Sequence, residues 1–135
     1  MKPRKFGTSA RAAATYIAVS PTQRRGADAE DRACAYLEGK GLEIVARNVR
    51  FRSGEIDAIA RHRDTLVFVE IRGRKRWADA AASIDFAKRG KIRRAARIYL
   101  RLRYPDCWPA CRFDVVLIGD DRIEWLPSAF GEYEE

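Results

Sequence analysis

Apolar residues recur along the chain at two spacings, and these define its elements. From about Gln23 to Lys40 the spacing is helical, with Ala29, Ala33, Tyr36 and Leu37 at i, i+4, i+7 and i+8, and the Gly39-Lys40-Gly41 turn closes the segment. Leu42 to Arg50, carrying Ile44, Val45 and Val49, reads as a strand, and the turn signal Ser53-Gly54 makes Glu55 to Arg61 its antiparallel return. After the polar Arg61-His62-Arg63-Asp64 connection, Thr65 to Arg72 is the most apolar run of the chain and predicts a central strand. A basic loop from Gly73 to Arg76 leads into Trp77. A long helix follows, from Asp79 or Ser83 to Tyr104, with Ile92, Ala95, Ala96, Tyr99 and Leu102 on one face, Gly90 as a weak point or a break near its start and Pro105 as its stop. Phe113 to Ile118 is another strand, Gly119-Asp120-Asp121 a tight turn, and Ile123 to Leu126 a short closing strand. The order α-β-β-β-α-β-β predicts an α/β fold, a mixed sheet flanked by helices in which the third and fourth strands are joined by a helical crossover.

Composition narrows the class. At 135 residues, 47% hydrophobic and 34% charged, the chain is long enough for one domain with its own core, and collagen-like, coiled-coil and largely disordered readings are disfavoured. No run approaches the roughly 18 apolar residues of a membrane span, so no membrane partner is expected. The formal charge is +8, and it is unevenly spread. Residues 1–25 carry six bases and no acid, and residues 26–46 two bases and five acids. Residues 47–103 carry 17 bases and six acids, and residues 104–135 two bases and eight acids. A basic middle between acidic flanks predicts one positive face, the footprint of a phosphate-backbone binder, although any single Arg is more often just part of a solvated helix face.

The expected organisation is a basic, disordered arm over 1–22, one domain over 23–130 and an acidic tail over 131–135. Ala12 to Val19 resembles a weak signal-peptide core, but Thr15 and Tyr16 interrupt it, which favours the arm or an upstream start codon. Three cysteines, Cys34, Cys107 and Cys111, with a single distant His62, give neither an even disulfide framework nor zinc-ligand spacing; Cys107 and Cys111 bracket Trp108 and Pro109 in a loop where a disulfide is the alternative, and free thiols in a reducing cytoplasm are expected.

Chemistry concentrates on two strands. Alternation puts Glu55 and Asp57 on one face and Ile56 and Ala58 on the other, and likewise Glu70 and Arg72 beside Leu66 and Phe68. An ionised carboxylate inside Leu-Val-Phe-Val-Glu-Ile is costly without a partner. Two readings remain open: carboxylates converging from neighbouring strands hold a hard divalent ion such as Mg²⁺, or Glu70 pairs with Arg72 as a buried salt bridge. Arg74, Lys75, Arg76 and Trp77 offer a cationic loop with an aromatic ring, though Trp77 more readily packs on the following helix. Arg93, Arg94, Arg97 and Arg101 form a helix stripe suited to sequence-blind phosphate contact. Arg112 and Asp114 share one strand face, and either support the site from behind or pair locally. His62, in a polar turn, reads as a surface residue. With neither a Gly-rich phosphate loop nor a Ser-His-Asp series, NTPase and acyl-transfer readings gain no support.

A series of segments is also familiar as a whole. Gly26-x3-Glu30-x2-Ala33-x2-Tyr36-Leu37, Arg47-Asn48-x-Arg50, Gly54-Glu55-Ile56-Asp57, Leu66-Val67-Phe68-Val69-Glu70-Ile71-Arg72-x-Arg74, Ala95-Ala96-x2-Tyr99-Leu100 and Cys111-Arg112-Phe113-Asp114-Val115-Val116 together resemble the YraN family over about residues 24–130. That family is similar to PD-(D/E)xK nucleases close to Holliday-junction resolvases. The resemblance implies a restriction-endonuclease-like αβββαβ core and Mg²⁺- or Mn²⁺-dependent hydrolysis of DNA phosphodiesters, with branched or recombination intermediates as candidate substrates. It implies Asp57 and Glu70 as metal ligands and Glu30 as an extra acidic site residue. Arg72 stands where the motif usually has lysine, and Lys75, Lys88 or Lys91 are candidates to supply one. Arg74, Lys75, Arg76, Lys88, Lys91 and Arg94 are the expected nucleic-acid contacts. A catalytically degenerate DNA-binding or interaction module is the competing reading, and the assembly is left open between monomer and homodimer.

Overall fold

The structure is a computed structural model that describes residues 21–131, so the expected arm and tail fall almost wholly outside the described residues. In chain order the elements are α1 (Pro21–Gly39), β1 (Glu43–Phe51), β2 (Gly54–His62), β3 (Thr65–Gly73), α2 (Trp77–Ala82), α3 (Phe86–Arg103), β4 (Ala110–Gly119) and β5 (Arg122–Phe130). The strands form one sheet in sequence order, with β3 and β4 parallel and every other neighbour antiparallel. This is the α/β mixed sheet that the sequence predicts, and it is consistent with a restriction-endonuclease-like core.

Helices cover both faces, and strand alternation sorts the core between them. Leu66 and Phe68 of β3 pack with Ile92, Ala95, Ala96 and Tyr99 of α3. Val67, Val69 and Ile71 turn the other way, onto Ala33, Cys34 and Leu37 of α1. Val115 and Leu117 of β4 meet Ala80 of α2. Phe68, fully buried, stacks on Phe113 at 5.5 Å between centroids and meets Tyr99 edge-on at 6.1 Å, and Phe113 stacks on Phe130 at 5.0 Å. This aromatic row fixes α3 to the sheet centre, and truncating Phe68 to Ala is expected to cost about 3–5 kcal/mol.

Turn chemistry sets the ends. Gly41, at φ 96°, closes α1, with Leu42 N–H donating to Leu37 C=O at 3.1 Å and Gly41 N–H to Glu38 C=O at 3.0 Å. The β4–β5 hairpin turns through Asp120 and Asp121, both at positive φ, and Asp120 Oδ2 accepts the Trp77 N–H at 2.8 Å, tying that hairpin to α2. The expected single helix from Asp79 or Ser83 is two. The break falls at Ser83–Asp85 rather than at Gly90, because Asp85 accepts the Lys88 N–H at 2.9 Å and caps a new helix there. Strand β5 runs to Phe130, well past Leu126, because Ser128 at φ 51° donates its N–H to Asp114 and lets the strand continue beyond an irregularity at Phe113/Val115.

Candidate active site

Simple alternation does not hold through β2. Ile56 belongs to the α3-side core and Ala58 to the α1-side core, which corrects the expectation that they share a face. The cause is a local kink: Asn48 of β1, across from this point, adopts φ 52°, a conformation Asn tolerates better than most residues. Ladder pairing between β2 and β3 starts only at Ala58–Val69, so β2 parts from β3 at Asp57. Asp57 fills that gap, its Oδ2 accepting the Ile71 N–H at 2.8 Å in place of a strand–strand bond. Its carboxyl thereby comes next to Glu70, which follows Leu66 and Phe68 on the α3 face and is 4% exposed, close enough for each acid to shift the other's titration.

Where the strands part there is a cleft of about 480 Å³, and Glu30, Asp57, Glu70 and Arg72 all line it. Glu30 enters from α1 but is turned toward β1, hydrogen-bonded by the Asn48 side chain and 3.9 Å from Arg47 Nη2. Arg47 is held more closely by Asp31, at 2.7 Å. Arg72 Nη2 lies 2.6 Å from Glu70 Oε2, so the salt-bridge alternative for Glu70 is realised, while Arg72 Nε is buried with no partner among the described residues. Of the expected nucleic-acid contacts, Arg74, Lys88 and Lys91 line the cleft. Lys75, Arg76 and Arg94 do not; the first two are exposed on the loop into α2, and Arg94 is exposed on the outer side of α3. Glu55, which alternation placed with Asp57, lines it too; Arg50, Arg52 and Ser53 also line it and were missed, although the hairpin signal at Ser53-Gly54 already placed Arg50 across from Glu55, to which it is ion-paired at 3.0 Å.

The electrostatics of the floor are those of crowded acids. Burial pushes the Asp57 carboxyl well above its ordinary range, and the adjacent Glu70 charge pushes it further, against the opposing Ile71 N–H bond. Burial also raises Glu70, opposed by the charge and hydrogen bond of Arg72. Glu30 is raised by burial, opposed by its Asn48 hydrogen bond and Arg47. Arg72 relieves this crowding in part at Glu70, and a bound cation would relieve it at both carboxyls.

Among the described residues no group of three or more His, Cys, Asp or Glu side chains is arranged to hold a metal ion, so Glu30 does not complete a three-carboxylate cage. The Asp57–Glu70 pair still fits a hard cation: it presents carboxylate oxygens only, it is crowded in a way a cation relieves, and Mg²⁺ needs just one or two carboxylates beside water and phosphate oxygens.

Arg112 and Asp114 pair locally, outside the cleft. Fully buried Asp114 accepts from Arg112 Nε at 3.0 Å, Trp125 Nε1 at 2.9 Å and Ser128 N–H at 2.9 Å, and Arg112 Nη2 sits 3.0 Å from His62 Nδ1. The cluster clamps β5 to the sheet, and it engages His62, which the sequence suggested was only superficial. Trp77 packs against α2-side residues beneath the Arg122 guanidinium at 3.9 Å. The exposed ring is instead Trp108. All three cysteines are free thiols, as expected. Among the described residues no helix is long and apolar enough to cross a membrane.

Comparison with known proteins places the fold and cleft in a wider group. A family model described as uncharacterised protein family UPF0102 matches residues 29–118, a span containing every residue of the Asp57–Glu70 floor. A UPF0102 protein of Dechloromonas aromatica (strain RCB) is 51% identical over 111 residues, 81% of this chain and 90% of its own length. Similar relatives occur in Cupriavidus metallidurans, 51% identical over 114 residues (82% and 84%), and Paracidovorax citrulli, 51% identical over 115 residues (81% and 84%).

Proposed function

The chain belongs to the uncharacterised protein family UPF0102, and from the chemistry of its cleft we propose that it binds DNA and hydrolyses its phosphodiester bonds with Mg²⁺ or Mn²⁺, branched or otherwise structured DNA being the substrate class. The observation that carries the proposal is the adjacent Asp57–Glu70 pair, both lining a cleft bordered by Arg50, Arg52, Arg74, Lys88 and Lys91. Acids alone would repel a phosphate, and a purely structural pair would have no reason to open onto a basic cleft.

Asp57 and Glu70 would hold the ion, which supplies Lewis acidity to the phosphate and a lowered pKa to the attacking water. The other roles fall to this chain's own side chains. The Ile71 N–H fixes Asp57 Oδ2, so that carboxyl is preorganised against Glu70. Arg72, already oriented by Glu70, presents a fixed positive charge where charge builds on the phosphoryl oxygens. With a pKa above about 12 it cannot take the water's proton, so it stabilises charge rather than acting as base. Lys88 and Lys91, on the first two turns of α3, border the cleft and position the backbone.

One observation favours a second reading. The 2.6 Å Arg72–Glu70 pair offers a carboxylate an internal cation where the resemblance expects lysine, which is what a degenerate, binding-only descendant would show. Incubating wild type, Asp57→Asn and Glu70→Gln with blunt duplex, overhang and four-way-junction DNA, in Mg²⁺, Mn²⁺ or EDTA, decides between them. Hydrolysis is expected for wild type with metal only, with both variants losing it and retaining most DNA binding. Binding without cleavage by wild type selects the degenerate module, and no binding defeats both readings.

A further inference from the structure

The groove on the other flank of α3, we propose, is a stacking site for an unpaired nucleobase, so the DNA recognised by this protein carries a single-stranded segment beside the scissile phosphate; this rests on the reading of the cleft as a phosphodiester site. Residues Lys88, Lys91 and Ile92 of α3 line the carboxylate cleft, whereas Arg93, Ala96, Arg97 and Leu100 line a separate groove of about 310 Å³. At 3.6 residues per turn the two sets project from different flanks of one helix. Phe68 and Phe113 lie beneath the groove, almost wholly buried, and its outer wall is the Trp108-Pro109 loop that leads into β4.

Trp108 is the observation that carries the inference. It is 40% exposed, whereas Trp77 lies beneath Arg122 and Trp125 donates to Asp114. A large ring left two-fifths in water at the edge of a groove that is also lined by arginine is suited to a planar partner that carries negative charge. The groove volume is at the low end of the roughly 300–1,000 Å³ of small-ligand sites, room for one base and too little for a duplex.

Charge selects nucleic acid over other planar or acidic partners. Lys91 borders the cleft, Arg94 and Arg101 are exposed on the outer ridge of α3, and Arg97 lines the groove, so cations run from the carboxylate pair across the helix to Trp108. Lys91 to Arg101 spans about 15 Å along the axis, several nucleotides of backbone. A cationic track ending at an aromatic plate is the general design of single-strand binders, whereas an acidic peptide would need no stacking ring.

The test is equilibrium binding of the full chain in EDTA, where hydrolysis plays no part, to a blunt duplex and to the same duplex with a short single-stranded overhang. Wild type should prefer the overhang. Trp108→Ala should weaken overhang binding at least about fivefold while leaving the blunt duplex within twofold, and Trp108→Phe, which keeps a stacking ring, should retain most of the preference. A 5-iodouracil in the overhang should photocrosslink to Trp108. An unchanged thermal midpoint for Trp108→Ala excludes misfolding, and should it fall, the Phe variant and the crosslink still decide. Equal wild-type affinity for the two DNAs, equal losses on both, crosslinking elsewhere, or competition at the groove only by an acidic peptide overturns the proposal. Failure to bind either DNA refutes the reading of the cleft itself, whereas DNA binding indifferent to Trp108 refutes this inference alone.

Discussion

Gly54 opens the Gly-Glu-Ile-Asp segment, and the structure gives a steric reason for a glycine there. A Cβ at Gly54 would stand 2.5 Å from the Lys91 carbonyl oxygen and 3.1 Å from its carbon, backbone atoms in the second turn of α3 that cannot rotate away. Restoring an ordinary 3.4 Å contact requires the β1–β2 hairpin and α3 to separate by about 0.9 Å. Overpacking of this kind costs about 1–3 kcal/mol, and the 2.5 Å approach to rigid backbone puts Gly54 in the upper half of that range, about 2–3 kcal/mol; the more restricted unfolded chain of an alanine variant returns about 0.4–1 kcal/mol, leaving a net loss of about 1–2.6 kcal/mol. For a domain of this size the thermal midpoint of Gly54→Ala should fall by about 3–10 °C in EDTA, read by circular dichroism. Because Gly54 and Lys91 both border the cleft, the same separation should weaken DNA binding. Gly90→Ala is the control: its nearest neighbour would be the flexible Arg94 Nη1 at 3.5 Å, within a helix, so it should stabilise by about 0.5–1 kcal/mol. A Gly54→Ala midpoint equal to or above wild type would refute the close approach of hairpin and helix, and with it the described shape of the cleft.

Other predictions concern charge. Asp57 has a folded pKa raised above its unfolded value, so its stabilising contribution is complete below the ordinary carboxylate range and is lost as pH rises through the raised value, at about 1.4 kcal/mol per pH unit crossed. Urea unfolding in EDTA should therefore show Asp57→Asn gaining on wild type as pH rises through that window, and a pH-independent difference would show that Asp57 is not raised. Arg72→Lys should preserve or increase metal-dependent cleavage, since lysine is a smaller cation with an accessible neutral form; a complete loss of cleavage by this variant, with DNA binding intact, would show that the guanidinium itself is required. DNA affinity should fall steeply with salt, and Arg94→Ala should shallow the log–log slope by about one unit, while a slope near zero for wild type would exclude phosphate contact by the basic face.

Much of the architecture was legible because burial pattern and turn chemistry agreed. Thr65 to Arg72 is central because it is apolar on both faces, and the sequence shows that directly. The site was legible only in part. Glu70 obeys alternation, but Asp57 reaches it because β1 kinks at Asn48 and β2 peels from β3, a three-strand effect that no period in one segment records. Glu30 was expected as a member of the acidic site, yet its carboxyl is turned to Asn48 and Arg47, a partnership across elements distant in sequence. Asp85 was a visible cap signal masked by the helical spacing on either side of it. The exposure of Trp108 was not legible, because it depends on which neighbours the fold brings, and those come from α3 and β4.

The most direct test of the central claim is anomalous diffraction from crystals soaked in Mn²⁺ at neutral pH. One peak should stand about 2.0–2.6 Å from carboxylate oxygens of both Asp57 and Glu70, and it should be absent from Asp57→Asn crystals. A saturating soak that leaves the pair without a peak, with Arg72 still on Glu70, would contradict a metal-dependent active site.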